Sequence, residues 1–423
     1  MFTIQRVTAR TAGIAAAATL VLATATACGS SGSSADSSKS ATTATTASAD
    51  APAGTFAGKA ASGSPVKVGL MNPEGGAAVN QPEARVAAQA AVDYANANLG
   101  GLGGHKIELD ICKTKEEDPS SLTNCANQMV QDKVVGVVEA NTGNGSLVVP
   151  IITGAGIAYT SYQGTSPQEI ATPGSFLWTG GVPANAIAMA KTAAGSGVKT
   201  FTLYVTQTGN VVESVKALAD PVFKQAGIGL TVTGIPLGSP DVSAQVQAGL
   251  KSKPGAVGII GDATVCTSTL KGLDTVSSKA PRYVIQPCMD PSVYKADPSG
   301  LDGATLMTTS DSTGSDDEAK IFRAVMATYA PANADLGGAA PTGYQSMLGF
   351  IRNVDAGIGS NDVTAATVIS AIKAAKDVPL PAGGGITMTC DGKQLPQLPA
   401  FCSGGALVGQ IKGGTVAAFQ VLK

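Results

Sequence analysis

The sequence contains few of the residues on which most catalytic centres depend. Only one histidine and one tryptophan occur in 423 residues; charged residues make up 14% and aromatic residues 4%. The lone histidine, His105, follows two glycines before an apolar run, a pattern typical of a surface turn. A zinc cluster built from histidines is therefore excluded, and a Ser-His-Asp triad would need His105 itself as the base.

Positive charge and catalytic motifs are also scarce. The formal net charge is −2, and no run of Lys and Arg indicates a nucleic-acid partner. Neither a G-x-S-x-G nucleophile elbow nor a G-x-x-x-x-G-K-[ST] phosphate loop occurs in the sequence. These absences argue against a hydrolase or another enzyme. We expect a protein without catalytic residues that uses no cofactor and no metal.

The N-terminus has the pattern of an export signal. Arg6 and Arg10 precede an apolar segment, residues 13–27, that is too short for a membrane span. The segment ends in ATAC at Cys28, which resembles bacterial lipoprotein signals, although those usually have leucine where the first alanine stands. An ordinary secretory peptidase could cut at the same bond. We interpret residues 1–27 as a signal peptide and Cys28 as the lipidated first residue.

The cysteine count supports this interpretation. Seven cysteines occur, and assigning Cys28 to the lipid leaves an even number that suits disulfides in an exported protein. A metal site is the alternative, but no C-x-x-C pair is present and the export signal favours oxidation. Neighbours in the sequence are expected to pair, as Cys112–Cys125, Cys266–Cys288 and Cys390–Cys402.

The segment after the signal differs from the rest of the chain. Residues 28–64 are mostly Ser, Thr, Ala and Gly and have almost no large apolar side chain. Such a composition cannot bury a core, so we expect a disordered tether between the membrane surface and the folded part.

The most informative stretch is residues 134–169. A continuous apolar run at its start predicts a strand that is buried on both faces of a parallel sheet, and a helix and a second strand follow. Polar loops, residues 141–145 and 163–167, come after the two strands. Ordinary glycine-rich connectors are the alternative. Because open α/β sheets bind ligands at the carboxyl ends of their strands, two consecutive polar loops favour a ligand site.

Short apolar runs and amphipathic segments alternate over the rest of the chain and predict an α/β fold. We expect two lobes, each a mostly parallel sheet flanked by helices: residues 65–182 with 310–405 form lobe one, and residues 183–309 with 406–423 form lobe two. A helix is expected over 317–329. A hairpin over roughly 386–410 should precede a last strand pair.

Several segments taken together resemble the leucine/isoleucine/valine-type substrate-binding proteins of bacterial ABC importers, the type I periplasmic clamshell family. They are VKVGLMNPEGG, YANANLGGLGGHKIEL, DPSSLTNCANQMV and GIAYTSYQGTSPQEI, in this order. The resemblance covers residues 66–422. It implies two lobes joined by three crossings, near Val182, Thr309 and Gly405, with a ligand between them.

The resemblance also implies contacts to the ligand. In that family the loop after an early strand holds an amino acid's carboxylate with backbone N–H and hydroxyl groups, and Thr142 and Gly143 take that place here. The next loop contributes a carbonyl and a hydroxyl at positions that match Gln163 and Thr165. Neutral donors and a helix dipole are able to bind an anion without a buried cation.

Two positions depart from the family pattern. The aromatic residue of its first loop falls at Val79, and the glutamate that pairs with the substrate ammonium falls near Thr264 and Val265. Desolvating an ammonium without a carboxylate is costly. Either Asp262 or Glu74 would have to replace the glutamate; otherwise the ligand is an amide, a carboxylate without the amine, or another small polar metabolite.

The sequence thus predicts an exported solute-binding lipoprotein, anchored to the outer face of the cell membrane, that delivers a small polar metabolite to the membrane subunits of an ABC permease. A monomer is expected. A ligand sensor that uses the same clamshell without transport is the alternative.

Overall fold

The computed structural model describes residues 50–77, 79–207, 211–239, 241–395 and 397–422. The expected signal peptide, Cys28 and the first part of the expected tether lie outside the described residues. No helix within the described part of the chain is both long and apolar enough to cross a membrane.

A five-stranded parallel sheet forms the centre of the first lobe. Its strands are β1 (Gly63–Pro73), β2 (His105–Thr114), β3 (Gly136–Glu139), β4 (Ala158–Ser161) and β5 (Ser175–Leu177). Their spatial order is β2-β1-β3-β4-β5, and each neighbouring pair is parallel. All five carboxyl ends therefore lie along one edge of the sheet, where the polar loops after β3 and β4 emerge.

Helices cover both faces of this sheet. The first group is α1 (Pro82–Asn98), α2 (Pro119–Gln131), α3 (Gly145–Gly154) and the short α4 (Pro167–Ala171). Pro119 and Pro167 occupy first helical turns, where the missing N–H has no intrahelical partner to lose, and Asp118 and Ser166 cap these two helices.

The second lobe contains a larger sheet. The chain continues through α5 (Gly181–Gly195), β6 (Thr200–Gln207), α6 (Val211–Gln225), β7 (Gly229–Pro236), α7 (Ser243–Leu250), β8 (Ala256–Ile260), α8 (Ala263–Thr275), β9 (Arg282–Ile285), a 3₁₀ turn (Gln286–Met289), α9 (Pro291–Ala296), α10 (Pro298–Leu301) and β10 (Thr305–Thr308). Strands β6 to β10 pair in parallel in the order β10-β9-β8-β6-β7.

The chain then returns to the first sheet and leaves it again. Helices α11 (Asp317–Tyr329), α12 (Ala340–Ile358) and α13 (Ala365–Ala374) contribute to the core beside β1 and β3, followed by the small hairpin of β11 (Val378–Pro379) and β12 (Thr387–Met388). The last strands, β13 (Ala406–Lys412), β14 (Thr415–Val416) and β15 (Gln420–Leu422), join the second sheet, where β13 runs antiparallel to β10. The chain thus passes between the sheets after β5, after β10 and before β13.

The predicted hairpin over residues 386–410 is wrong. The hairpin observed is shorter and earlier, and residues 400–402 instead bond to β5: Leu177 N donates to the carbonyl of Ala400, and Cys402 N donates to the carbonyl of Leu177. Pro399 lacks the N–H that a long ladder needs, and the Cys390–Cys402 disulfide closes the intervening residues into a loop.

The last part of the expected tether also differs from the prediction of a disordered segment. Residues 50–62 are packed on the first lobe, because the Phe56 ring lies against Tyr94 and Tyr329, with ring centroids 6.0 and 6.5 Å apart. The N–H of Gly58 donates to the side-chain oxygen of Asn98 at 3.2 Å. Phe56 is the one large apolar residue in this segment, and its ring contacts act together with main-chain hydrogen bonds such as that from the Ala61 N–H to the carbonyl of Asn96.

Candidate functional site

The loop after β3 forms a cradle of hydrogen-bond donors at the carboxyl edge of the first sheet. We call the Thr142 hydroxyl, the Gly143 N–H and the Asn144 side-chain amide the 142–144 cradle. Gly136–Glu139 is buried along its whole length, so the chain leaves the sheet at a fixed point, and α3 begins directly after Asn144. The sequence places a candidate anion site here, and the structure provides the donors.

This cradle already holds a carboxylate, and the carboxylate belongs to the protein. The Thr142 hydroxyl lies 3.0 Å from Oε1 and 3.2 Å from Oε2 of Glu116. The Gly143 N–H donates to Oε2 at 2.9 Å, and the Asn144 amide donates to Oε2 at 3.0 Å. Sequence reasoning missed Glu116, because a charged run before a capped helix usually indicates a solvated loop.

Glu116 comes from the four residues between β2 and α2. The N–H of Asp118 donates to the carbonyl of Lys115 at 2.9 Å, and Asp118 then caps α2 by accepting from the Ser120 N–H at 3.0 Å. The Cys112–Cys125 disulfide joins the strand before this loop to the helix after it, with Cα atoms 5.5 Å apart. The loop is therefore held from both sides.

The loop after β4 is organised around a second buried glutamate, Glu169, of which only 1% is exposed. Its Oε2 accepts from the N–H groups of Thr165 and Ser166 at 3.1 and 2.9 Å, and its Oε1 accepts from the Tyr159 hydroxyl at 3.0 Å. A side chain at Gly145 would come within 2.5 Å of that carboxylate, so α3 has to begin with glycine.

The two predicted ligand residues of this loop are placed differently from each other. The Thr165 side chain is exposed, whereas Gln163 is half-buried and lies beside Gly181, at the start of the helix that leads into the second lobe. Helix α12 holds the start of this loop, because the Ser346 hydroxyl of α12 accepts from the Tyr162 N–H at 3.1 Å. The sequence contained no local signal for this contact.

Glu139, the last residue of β3, is a buried acid without a partner in the described part of the chain. It is 0% exposed, and neither carboxylate oxygen has a hydrogen bond. Burial, reinforced by the charges of Glu116 and Glu169, raises the pKa of Glu139 well above its usual value. Three acidic side chains, Glu116, Glu139 and Glu169, thus lie near one another at the carboxyl ends of β3 and β4.

The acids that could replace the family's glutamate have other partners. Glu74 accepts from Arg85 at 2.7 Å and from Lys113 at 2.8 Å, and the hydrogen bond from Arg85, with that from Lys113, keeps the pKa of Glu74 below its usual value. Asp262 is exposed and caps α8, accepting from the Val265 N–H at 2.8 Å.

The disulfides and the histidine occupy structural positions. The bonds are Cys112–Cys125, Cys266–Cys288 and Cys390–Cys402, the pairs that the sequence spacing suggests. The His105 ring Nδ1 lies 2.7 Å from the carbonyl of Ser64. Among the described residues no group of His, Cys, Asp and Glu could hold a metal ion.

A groove of about 900 Å³ lies away from the cradle. It runs between α5 and α6 of the second lobe and the segment from β11 to β13, with Ile187, Leu218, Ile386 and Leu398 among its apolar lining residues. This groove is a second concave surface with which any assignment of the ligand site has to compete.

The fold agrees with those of known binding proteins. Residues 65–401 match the family model described as periplasmic binding protein. A leucine-binding protein of Thermotoga maritima, LivK, is 16% identical, with a TM-score of 0.65 over 84% of this chain and 98% of that chain. LivJ of Streptococcus pneumoniae, solved in complex with isoleucine, is 18% identical, with a TM-score of 0.65 over 84% of this chain and 99% of its own.

Other structural relatives bind different molecules. A solute-binding protein of an R. palustris ABC transporter, solved with 4-hydroxybenzoate, is 16% identical, with a TM-score of 0.65 over 85% of this chain and 97% of that chain. No curated protein sequence matches the chain. The family match and the two-lobe architecture together show that the chain belongs to the periplasmic binding protein family and has its type I fold.

Proposed function

We propose that this protein is an extracytoplasmic solute-binding lipoprotein, which holds a small polar molecule between its lobes and presents it to the membrane subunits of an ABC permease. Family membership supports the binding role and a location outside the cytoplasm. The lipid anchor at Cys28 rests on the sequence pattern of the export signal and on the even number of cysteines that remain.

The observation that carries the proposal is the 142–144 cradle. A hydroxyl, a main-chain N–H and a side-chain amide converge at the carboxyl edge of a parallel sheet, and their contacts with the Glu116 carboxylate support a role in binding polar groups. Thr142, Gly143, Gln163 and Thr165 are the proposed ligand-side residues of the first lobe. Glu74 and Asp262 contribute less, because each is engaged within its own lobe.

Mass spectrometry of the purified mature protein tests the proposal. Denaturation should release about one equivalent of a small polar molecule, and the mature N-terminal peptide should begin with an acylated Cys28. Thr142→Val should retain roughly ten-fold less of the molecule, because it removes the hydroxyl that donates to the Glu116 carboxylate and orients it in the cradle.

Thr275→Val is the matched control, since the Thr275 hydroxyl is exposed and bonds only to the carbonyl of Lys271 in its own helix. Equal retention by the two variants would argue against a ligand site at the cradle. An unmodified N-terminus would refute the lipid anchor without affecting the binding role.

A further inference from the structure

The cradle is occupied in a way that leaves one side of the Glu116 carboxylate open. Within the described part of the chain, Oε2 is near three donors, from Thr142, Gly143 and Asn144, whereas Oε1 is near only the Thr142 hydroxyl. A carboxylate has about four acceptor positions. Glu116 is half-buried, so its Oε1 retains acceptor capacity for a further donor.

Glu116 is held by its main chain as well as by its side chain. The Asn144 amide donates to the main-chain carbonyl of Glu116 at 3.0 Å in addition to its carboxylate. The Lys115 N–H donates to the Ser121 hydroxyl at 3.1 Å, and the Cys112–Cys125 bond closes the surrounding segment. The glutamate is therefore a fixed part of the cradle and not a mobile side chain that happens to rest there.

A second anion at this place would meet strong repulsion. It would compete for donors already in use and would lie next to the Glu116 carboxylate. Arg85 on α1 and Lys113 on β2 are both paired with Glu74, so their charges are already offset within the lobe.

We infer that Glu116 determines ligand specificity, by converting the cradle from a carboxylate site into a site for an N–H donor, so that the ligand is an amine or amide that presents this group to Oε1. The inference rests on the proposed solute-binding function and specifies its substrate class. Glu116 would also be the acidic partner of a ligand amine. This partner lies in the first lobe, whereas the glutamate of the family pattern falls in the second.

Acetate tests the inference without knowledge of the natural ligand. In protein labelled with ¹⁵N-glycine, the Gly143 amide resonance of the wild type should not move with acetate at tens of millimolar. In Glu116→Ala, which empties the cradle, the same resonance should shift saturably. Glu108→Ala is the control, because Glu108 is an exposed acid on β2 of the same lobe. A saturable shift in the wild type would overturn the inference, since a free carboxylate would then displace Glu116.

A conservative variant provides a second test should Glu116→Ala fold poorly. Glu116→Gln should weaken binding of the molecule released from the wild type by about ten- to a hundred-fold, because a charge-assisted hydrogen bond is lost. Tighter binding by Glu116→Gln, or a released molecule whose only polar group is a carboxylate, would overturn the inference and leave solute binding intact. Release of no molecule, with the acetate result as expected, would contradict the proposed function and support the role of Glu116.

Discussion

At the scale of single residues, the glutamates near the site differ in burial and in the partners of their carboxyl groups. Glu74 is paired with two cations, Glu169 with hydroxyl and main-chain donors, and Glu116 with the cradle. Glu139 is fully buried and has no such partner among the residues that the structure describes. The acids that matter for the site are thus distinguished by their neighbours and not by residue type, and a sequence alone does not show those neighbours.

Asp355 illustrates the consequence for stability. It lies on α12 and accepts from the Gly103 N–H at 2.7 Å, and burial raises its pKa to about 6. Because this pKa is above that of the unfolded chain, the folded state binds the proton more tightly. The free energy of unfolding therefore falls as the pH rises from about 4 through 6 and stays lower above that range.

Asp355→Asn keeps the acceptor and removes the charge. We expect it to raise the free energy of unfolding at pH 7.5 by roughly 2 kcal/mol, allowing for partial solvent screening, and to leave it unchanged at about pH 4. Urea unfolding at both pH values measures the difference, with Glu108→Gln as the control for loss of an exposed charge. An equal effect of Asp355→Asn at both pH values would show that packing, and not titration, is responsible.

At the scale of elements, two of the disulfides should contribute similarly to stability but differently to ligand binding. Cys112–Cys125 and Cys390–Cys402 span nearly equal sequence separations, 13 and 12 residues, so chain entropy predicts similar contributions of about 3 kcal/mol each. Only the first encloses the loop that carries Glu116. Replacing either pair with serines should lower the urea midpoint by a similar amount.

Ligand affinity should distinguish the two double variants. Without Cys112–Cys125 the Glu116 loop gains freedom, so calorimetry with the released molecule should show weaker binding. Without Cys390–Cys402 the affinity should be close to that of the wild type. Equal loss of affinity in both would mean that general destabilisation, and not the placement of Glu116, explains the effect.

Much of the element order could be predicted from the sequence, because buried parallel strands are continuous apolar runs. The run at residues 134–138 overlaps the buried strand β3, which begins two residues later at Gly136, and the helix expected over 317–329 has those bounds. β5 is the least predictable strand of this sheet, because only Ser175, Phe176 and Leu177 form it. Three residues give too little periodicity to tell which sheet a strand joins.

The sequence predicts a candidate site at Thr142 but not the contacts that Thr142 makes. Polar loops at strand ends identified Thr142, whose partner Glu116 is 26 residues away in sequence and is brought there by parallel pairing of β1, β2 and β3. Such pairing depends on register across three strands, and local patterns do not encode it. Phe56 is a similar case, because only its distant partners show that it is anchored.

At the scale of the whole molecule, the chain passes three times between the two sheets. The carboxyl ends of the strands in the first lobe lie along one edge of its sheet. The cradle lies at those strand ends, whereas the groove of about 900 Å³ lies between α5, α6 and the crossing segment before β13. The cradle and the groove are the two competing locations for a solute, and the proposed function requires the cradle.

Hydrogen exchange followed by mass spectrometry, with and without the released molecule, decides between them most directly. We expect slower exchange in peptides that contain the 142–144 cradle and the Glu116 loop, and in lobe-two peptides at the carboxyl end of β8, around Asp262. Slower exchange confined to α5, α6 and residues 386–398 would place the ligand in the groove and contradict a ligand site at the cradle.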